Sequence, residues 1–125
     1  MKIRLYQDSI RFRMQMSDVR DLVENGSVHA TLSMGANPHD AFHYSVQLAY
    51  VSSPEVRYTE GNISLYVPIM QGKHWAETDE VGIYADQNNG NNGVLRILLE
   101  KDFKCLDNTT EDQSNMFPNP NSTCG

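Results

Sequence analysis

The sequence predicts an α+β fold: mainly antiparallel strands forming a twisted sheet or small open barrel, with one short helix near residues 17–25. Several segments alternate apolar and polar residues with the two-residue period of half-buried strands. Short stretches of Gly, Pro, Asn and Asp, which favour turns, separate these segments. Only one stretch, near the N-terminus, combines the apolar spacing of a helix with residues suited to both of its caps.

The N-terminal segment predicts a hairpin followed by the helix. Residues 2–6 and 9–15 both alternate, and Gln7-Asp8 between them is suited to a tight turn. Ser17 is a suitable N-cap for the helix that follows, and Asn25-Gly26 is a pair suited to a left-handed C-cap. The helix therefore spans about two turns.

The rest of the chain adds strands to a predicted total of about seven to nine. These strands are expected at residues 27–34, 42–51, 56–58, 63–67, 81–84 and 94–99. A short helical turn is expected near residues 69–76, although Gly72 weakens it. The continuous apolar run at 94–99 is typical of a central strand that is buried on both faces. We find no internal repeat in the sequence.

The composition predicts a single strand-rich domain at residues 1–104 and a polar C-terminal tail at 105–125. A chain of 125 residues is long enough to bury one core. The tail is rich in Asn, Asp, Ser, Thr and Pro, so we expect it to be ordered only where it docks, with Phe117 as the anchor. Its two cysteines, Cys105 and Cys124, are expected to be reduced thiols, with a disulfide as the alternative.

The charge and hydropathy patterns exclude several classes of partner. The net charge is −6, which disfavours nucleic acid and anionic lipid surfaces as partners. No apolar run is long enough to cross a bilayer, and the N-terminus has no signal-peptide core, so we expect a cytoplasmic protein.

Four stretches carry a resemblance that spans nearly the whole chain. They are MKIRLYQDSIRFRMQMSDV, HWAETDEVGIYA, LRILLEKDFKCL and EDQSNMFPNP. Together they resemble a family of short uncharacterised bacterial proteins, a domain of unknown function. The resemblance implies a bacterial, stand-alone domain, and it implies no activity, cofactor or catalytic residue. The NNGNNG loop and the terminal NSTCG depart from it.

The basic face of the N-terminal hairpin is the principal candidate site. Alternation places Lys2, Arg4, Arg11 and Arg13 on one face, where they are close enough to form a cationic patch. Such a patch could bind a phosphate, a carboxylate ligand or an acidic peptide. The alternative is a solvated face whose charges pair with acidic residues at 77–86 or in the tail.

Three other candidates are weaker. His39 and His43 have the spacing of a metal-binding pair on a helix, but no third ligand has a recognisable spacing, so no metal is predicted. Trp75 is expected in the core, and the adjacent Asp79 and Glu80 would point to opposite faces of a strand. The C-terminal cluster lacks the regular pattern of a calcium loop; it contains Asp102, Cys105, Asp107, Glu111 and Asp112.

These observations support two functional hypotheses. The favoured one is a non-enzymatic binding or protein-interaction module that uses a sheet face or edge, and a homodimer is one form that it could take. The alternative is a small anionic-ligand-binding barrel or enzyme that uses the basic N-terminal hairpin face. No cofactor motif is present, and the sequence leaves open whether the protein is an enzyme.

Overall fold

The computed structural model describes residues 1–103 and 114–118, which contain eight strands and two α-helices. In chain order they are β1 (Lys2–Tyr6), β2 (Ser9–Met14), α1 (Met16–Asn25), β3 (Ser27–Ser33), β4 (Ala41–Ala49), β5 (Glu55–Thr59), β6 (Asn62–Pro68), α2 (Ile69–Glu77), β7 (Gly82–Asn88) and β8 (Val94–Lys101). A single 3-10 turn at Gly90–Asn92 lies between the last two strands. The predicted hairpin at the N-terminus is therefore present, with its turn at Gln7-Asp8.

The strands form two four-stranded sheets. The first sheet has the order β1-β2-β8-β7 and the second has the order β3-β4-β6-β5. Each sheet consists of two antiparallel hairpins joined by one parallel pair at its centre, β2 with β8 and β4 with β6. This arrangement confirms an α+β fold that is mainly antiparallel. Both sheets are open, so the strands do not close into a barrel.

The two halves of the chain repeat one pattern of hairpin, helix and hairpin, so that β1–β4 with α1 correspond to β5–β8 with α2. Gln15 before α1 and Pro68 before α2 are 53 positions apart, and the same interval separates the paired hairpin strands. Backbone contacts repeat as well. The Arg96 amide donates to the Asp8 carbonyl at 2.8 Å, and its counterpart, the His43 amide, donates to the Gly61 carbonyl at 2.8 Å. The expectation of no internal repeat was wrong.

The core lies between the sheets and beneath the helices. Alternate residues of the central strands point inward, and both helices contribute buried side chains to the same cluster. These buried residues are Ile10, Phe12, Met14, Val19, Leu22, Val46, Ile63, Leu65, Val67, Trp75, Ile83, Ile97 and Leu99. The prediction that Trp75 belongs to the core is confirmed, since its side chain is fully buried. One apolar cluster drawn from both halves stabilises the fold.

The helices differ in detail from the predictions. α1 begins at Met16, one residue before the predicted start, and its N-cap is Gln15 rather than Ser17. The carboxylate of Asp18 accepts a hydrogen bond from the Gln15 amide at 2.9 Å, which satisfies a backbone donor at the helix start. α2 is a full helix despite Gly72, which is buried where an added Cβ would collide with the side chain of Leu48. Close packing therefore accounts for a glycine that the sequence pattern treats as a helix breaker.

β8 is a central strand, but only one of its faces is buried. Ile97 and Leu99 point into the core, whereas Arg96 is exposed and Leu98 is half-buried on the outer face. The predicted burial on both faces was wrong because the two helices lie against the other side of this strand's sheet and leave its outer face to solvent. This exposed face contributes Arg96 to the candidate site.

Residues 114–118 pack against the start of α1 and the end of β8. The Met16 amide donates to the Asn115 carbonyl at 3.1 Å, and the Phe117 amide donates to the Asp102 carbonyl at 2.9 Å. Phe117, the predicted anchor, is half-buried, and its ring lies 5.3 Å from Nζ of Lys101. Burial lowers the pKa of Lys101, partly offset by nearby carboxylates. The rest of the predicted tail lies outside the described residues.

The helices are short. In the part of the chain that the structure describes, neither is long and apolar enough to cross a membrane.

Candidate functional site

Four cations share the outer face of the β1–β2 hairpin. Lys2 lies directly opposite Arg13, and Arg4 lies directly opposite Arg11. The apolar residues that alternate with Arg11 and Arg13 on β2 point the other way, into the core. Like charges placed directly opposite each other on a sheet repel, so this arrangement costs stability unless anions offset it. The alternation in the sequence predicted this shared face.

The parallel neighbour β8 brings a fifth cation to this face. Arg96 lies opposite Ser9 across the parallel pair, and Leu98 lies opposite Arg11. We call the five residues the basic strip: Lys2, Arg4, Arg11, Arg13 and Arg96. The sequence analysis missed Arg96, because its alternating position in β8 is visible in the sequence but the pairing of β8 with β2 is not.

Carboxylates at the end of β8 neutralise part of the basic strip. Arg11 Nε lies 3.0 Å from Glu100 Oε1, and Lys2 Nζ lies 3.0 Å from Asp102 Oδ2. These partners differ from the acidic residues at 77–86 that the sequence suggested. The side chain of Glu100 is only 16% exposed and that of Arg11 28%, so this ion pair is partly shielded from solvent and orients the guanidinium.

Two guanidinium groups keep their donors available. Arg4 is in contact with the Tyr6 ring, with Cζ 5.7 Å from the ring centroid, and has no carboxylate partner among the described residues. Arg96 faces Asp86 across the antiparallel pair with β7, but within the described part of the chain no ion pair joins them. Both groups can therefore donate to a ligand.

The outer face has two adjoining depressions that share Arg4 and Arg11. One has a volume of about 210 Å³ and the other of about 230 Å³. The first is lined by Arg4, Tyr6, Ser9, Arg11, Arg96 and Leu98. The second is lined by Lys2, Ile3, Arg4, Arg11 and Arg13. Each is large enough for a phosphate or carboxylate group, and planar guanidinium groups bind such oxyanions through two parallel hydrogen bonds.

Tyr84 on β7 holds the carboxylate that orients Arg11. Its hydroxyl donates to Glu100 Oε2 at 2.8 Å. Burial raises the pKa of Tyr84 to about 12, and the hydrogen bond to Glu100 and the charge of that carboxylate contribute to the rise. Tyr84 is therefore a neutral donor at pH 7. With Tyr84 on one oxygen and Arg11 on the other, Glu100 has a fixed position, which pre-organises Arg11.

A comparison with protein families finds one family whose model matches nearly the whole chain. A model described as a family of unknown function, DUF7009, matches residues 1–121. The chain belongs to this family. No curated protein and no solved structure shows a significant match to it. The predicted full-length resemblance to a domain of unknown function is thus confirmed.

Among the residues that the structure describes, the other candidates in this DUF7009 chain are not assembled as sites. His43 lies in β4 and His39 lies in the loop before it, so these two histidines do not share a helix that would present both rings to one ion. Among the described residues, no group of three His, Cys, Asp or Glu side chains is placed to hold a metal ion. In the C-terminal cluster only Asp102 is described; Cys105, Asp107, Glu111 and Asp112 lie outside the described residues, as does Cys124.

Proposed function

We propose that this DUF7009 domain is a non-enzymatic binding module that holds an oxyanion at the basic strip. The ligand would be the phosphate or carboxylate group of a small molecule or an acidic peptide. The observation that carries the proposal is the stacking of two directly opposed cation pairs, with Arg96 beside them, around shared depressions on one sheet face. An anion between opposed guanidinium groups would convert their repulsion into attraction.

The arrangement of charge supports one discrete anionic group rather than a polyanion. The five cations lie on one face of the sheet. At the end of β8, Glu100 pairs with Arg11 and Asp102 pairs with Lys2, so these two carboxylates neutralise part of the positive charge. The whole chain carries a net charge of −6, which disfavours a long phosphate backbone. Arg4, Arg11 and Arg96 line the depression of about 210 Å³, so the ligand's charge is expected there.

The surroundings of the strip support binding rather than catalysis. Two hydroxyl-bearing residues, Tyr6 and Ser9, line the depression. Ser9 Oγ donates to the Tyr6 carbonyl at 2.7 Å, and the described residues that line the depression include no imidazole or carboxylate to act as a base. Tyr84 keeps its proton at pH 7 because its pKa is about 12. Positioned guanidinium groups without a nucleophile and base favour recognition of an anion.

A thermal-shift titration at constant ionic strength tests the proposal. The probes are inorganic phosphate, pyrophosphate, succinate, citrate and a short acidic peptide, so that a small molecule and a peptide source are distinguished. A ligand that binds the folded state raises the melting temperature as its concentration passes Kd. The Arg4→Gln/Arg11→Gln variant should lose this shift, because each charge-assisted hydrogen bond contributes roughly 1.5–3 kcal/mol to binding.

Arg57→Gln is the matched control, since Arg57 occupies the position of Arg4 in the second half of the chain. This control should retain the full shift. Without ligand, Arg4→Gln alone should melt at the same temperature as the native protein or slightly higher, because it removes the repulsion from Arg11. A shift that persists in the double variant, or the absence of any shift with the whole panel, would contradict the proposal.

The wider setting of the proposal comes from the sequence. A bacterial, cytoplasmic protein and a homodimeric form remain predictions, which cell fractionation and light scattering would test.

A further inference from the structure

The internal duplication places a second depression on the outer face of the second sheet, at the position equivalent to the basic strip. Its volume is about 270 Å³. Asn62 and Ser64 on β6 correspond to Ser9 and Arg11 on β2, with the same interval of 53 positions. Likewise His43 on β4 corresponds to Arg96 on β8, because each lies opposite the first residue of its parallel partner strand.

The chemistry of this second depression differs from that of the basic strip. Among the described residues, its lining contains hydroxyl, amide and imidazole side chains and no Lys, Arg, Asp or Glu. The polar residues of its lining include Thr31, His43, Ser45, Gln47, Asn62 and Ser64. Soluble protein surfaces typically carry about 25–35% charged residues with both signs interspersed. The neutral lining is therefore unusual for a face that only meets water.

The polar groups of the second depression form an ordered floor. Ser45 has only 5% of its surface exposed, and its Oγ accepts a hydrogen bond from Gln47 Nε2 at 3.1 Å. Ser45 Oγ in turn donates to Ser64 Oγ at 3.3 Å. At the rim, Thr31 Oγ1 lies 2.9 Å from His43 Nδ1. These contacts fix the floor while Ser64 and the rim keep hydrogen-bonding capacity directed outward.

We propose that the second depression binds a neutral polyhydroxyl ligand, a sugar or a sugar alcohol. Hydroxyl, amide and imidazole groups include both donors and acceptors, as do the hydroxyl groups of such a ligand. Among the described lining residues, no Lys or Arg offers a fixed positive charge to an anion. The nearby Arg57 is already paired with Glu55 at 3.2 Å and lies over the Tyr66 ring at 4.7 Å. The proposal is independent of oxyanion binding, because the two depressions lie on different sheets.

Saturation-transfer NMR on the full chain tests this proposal, with maltose, trehalose, myo-inositol and glycerol as probes and a chelator in the buffer. At least one of the probes should bind at millimolar concentrations and shift the backbone amide signals of β4 and β6. Ser64→Ala should weaken binding by roughly 3- to 10-fold, the loss expected for one net hydrogen bond. Arg11→Gln is the matched control at the equivalent position in the first sheet and should bind the probe unchanged.

A second variant, Ser64→Arg, is expected to reduce probe binding much more than Ser64→Ala does. Ser64→Arg places a guanidinium at the position equivalent to Arg11 and should abolish binding of the probe sugar, because it fills the depression. The melting temperature of Ser64→Arg reports whether this variant is folded. The amide shifts of the native protein locate the bound probe on the second sheet whether or not either variant folds. The proposal is overturned if no probe binds, if binding is unchanged in both Ser64 variants, or if the amide shifts fall on the first sheet.

Discussion

Single residues of the first sheet show how one carboxylate serves two partners. Glu100 accepts from Tyr84 and pairs with Arg11, so the tyrosine hydroxyl acts on the basic strip through the carboxylate between them. Tyr84 touches neither depression; it positions Glu100, which positions Arg11. The alternation of β7 puts Tyr84 on the outer face, but the sequence does not show that β8 places Glu100 beside it.

The raised pKa of Tyr84 predicts a late ionisation step. Since the folded-state pKa is about 12 and the ordinary value is 10.0, the stability that this phenol contributes is complete below pH 10 and is lost as the pH rises towards 12. The ultraviolet difference titration between the native protein and Tyr84→Phe should therefore have its midpoint near 12. Glu100→Gln should lower that midpoint, because it removes the negative charge beside the phenol.

The control for this titration is Tyr50→Phe, which removes a tyrosine whose ring is fully exposed. A difference curve for Tyr84→Phe centred at the ordinary value of 10.0 would show that neither the burial of this phenol nor its hydrogen bond to Glu100 is present in solution.

At the scale of elements, the hairpin turns of the two halves share a backbone conformation although their residue types differ. Gln7 and Glu60 occupy equivalent turn positions, and both have positive φ, 50° and 42°, which L-residues adopt at a cost. The hairpins and α1 were predictable because local alternation and capping residues specify them. The prediction for α2 was weaker because Gly72 disfavours a helix. The structure shows that a larger residue at this position would collide with Leu48, a residue of β4 that is distant in sequence.

The close packing of β7 against β8 predicts a destabilising substitution. A Cβ at Gly82 would lie 2.7 Å from the Leu99 carbonyl oxygen, a backbone atom that cannot move without disturbing the sheet. Gly82→Ala should therefore lower the free energy of unfolding by about 1–3 kcal/mol, as overpacking usually does. Urea denaturation monitored by Trp75 fluorescence would measure the change.

Ser27 is the counterpart of Gly82 at the start of β3 and provides the matched control for that substitution. Ser27→Ala keeps a Cβ that the position already accommodates, so the free energy of unfolding should change by no more than about 0.5 kcal/mol. Equal losses in the two variants would show that the close contact at Gly82 is not what limits the pairing of β7 with β8.

At the scale of the whole molecule, the duplication explains why the fold has one core. Each half of the chain gives one hairpin to each sheet, so neither sheet is built from one half alone. The sequence did not reveal this duplication, because the halves share spacing and core pattern rather than residue types. Arg11 corresponds to Ser64 and Lys2 to Glu55, so the outer faces diverge where ligands would bind.

Only part of the candidate site could be predicted from the sequence. The four cations of the hairpin follow from local alternation, which a strand period makes visible in the sequence. Arg96 and the depression that it lines depend on a parallel pairing between β2 and β8, strands that are far apart in the chain. Long-range pairing of this kind leaves no local signal, so the cations were predictable and the concave surface was not.

The measurement that most directly tests the central proposal is an NMR titration of the full, isotope-labelled protein with pyrophosphate at constant ionic strength. Oxyanion binding at the basic strip predicts that the amide signals of Ser9, Arg11 and Arg96 shift together. The guanidinium Nε signals of Arg4 and Arg96 should move with them and saturate at a single Kd. Signals that stay unchanged there, or that shift equally at exposed cations elsewhere such as Arg20 and Lys73, would contradict the assignment of this face as the binding site.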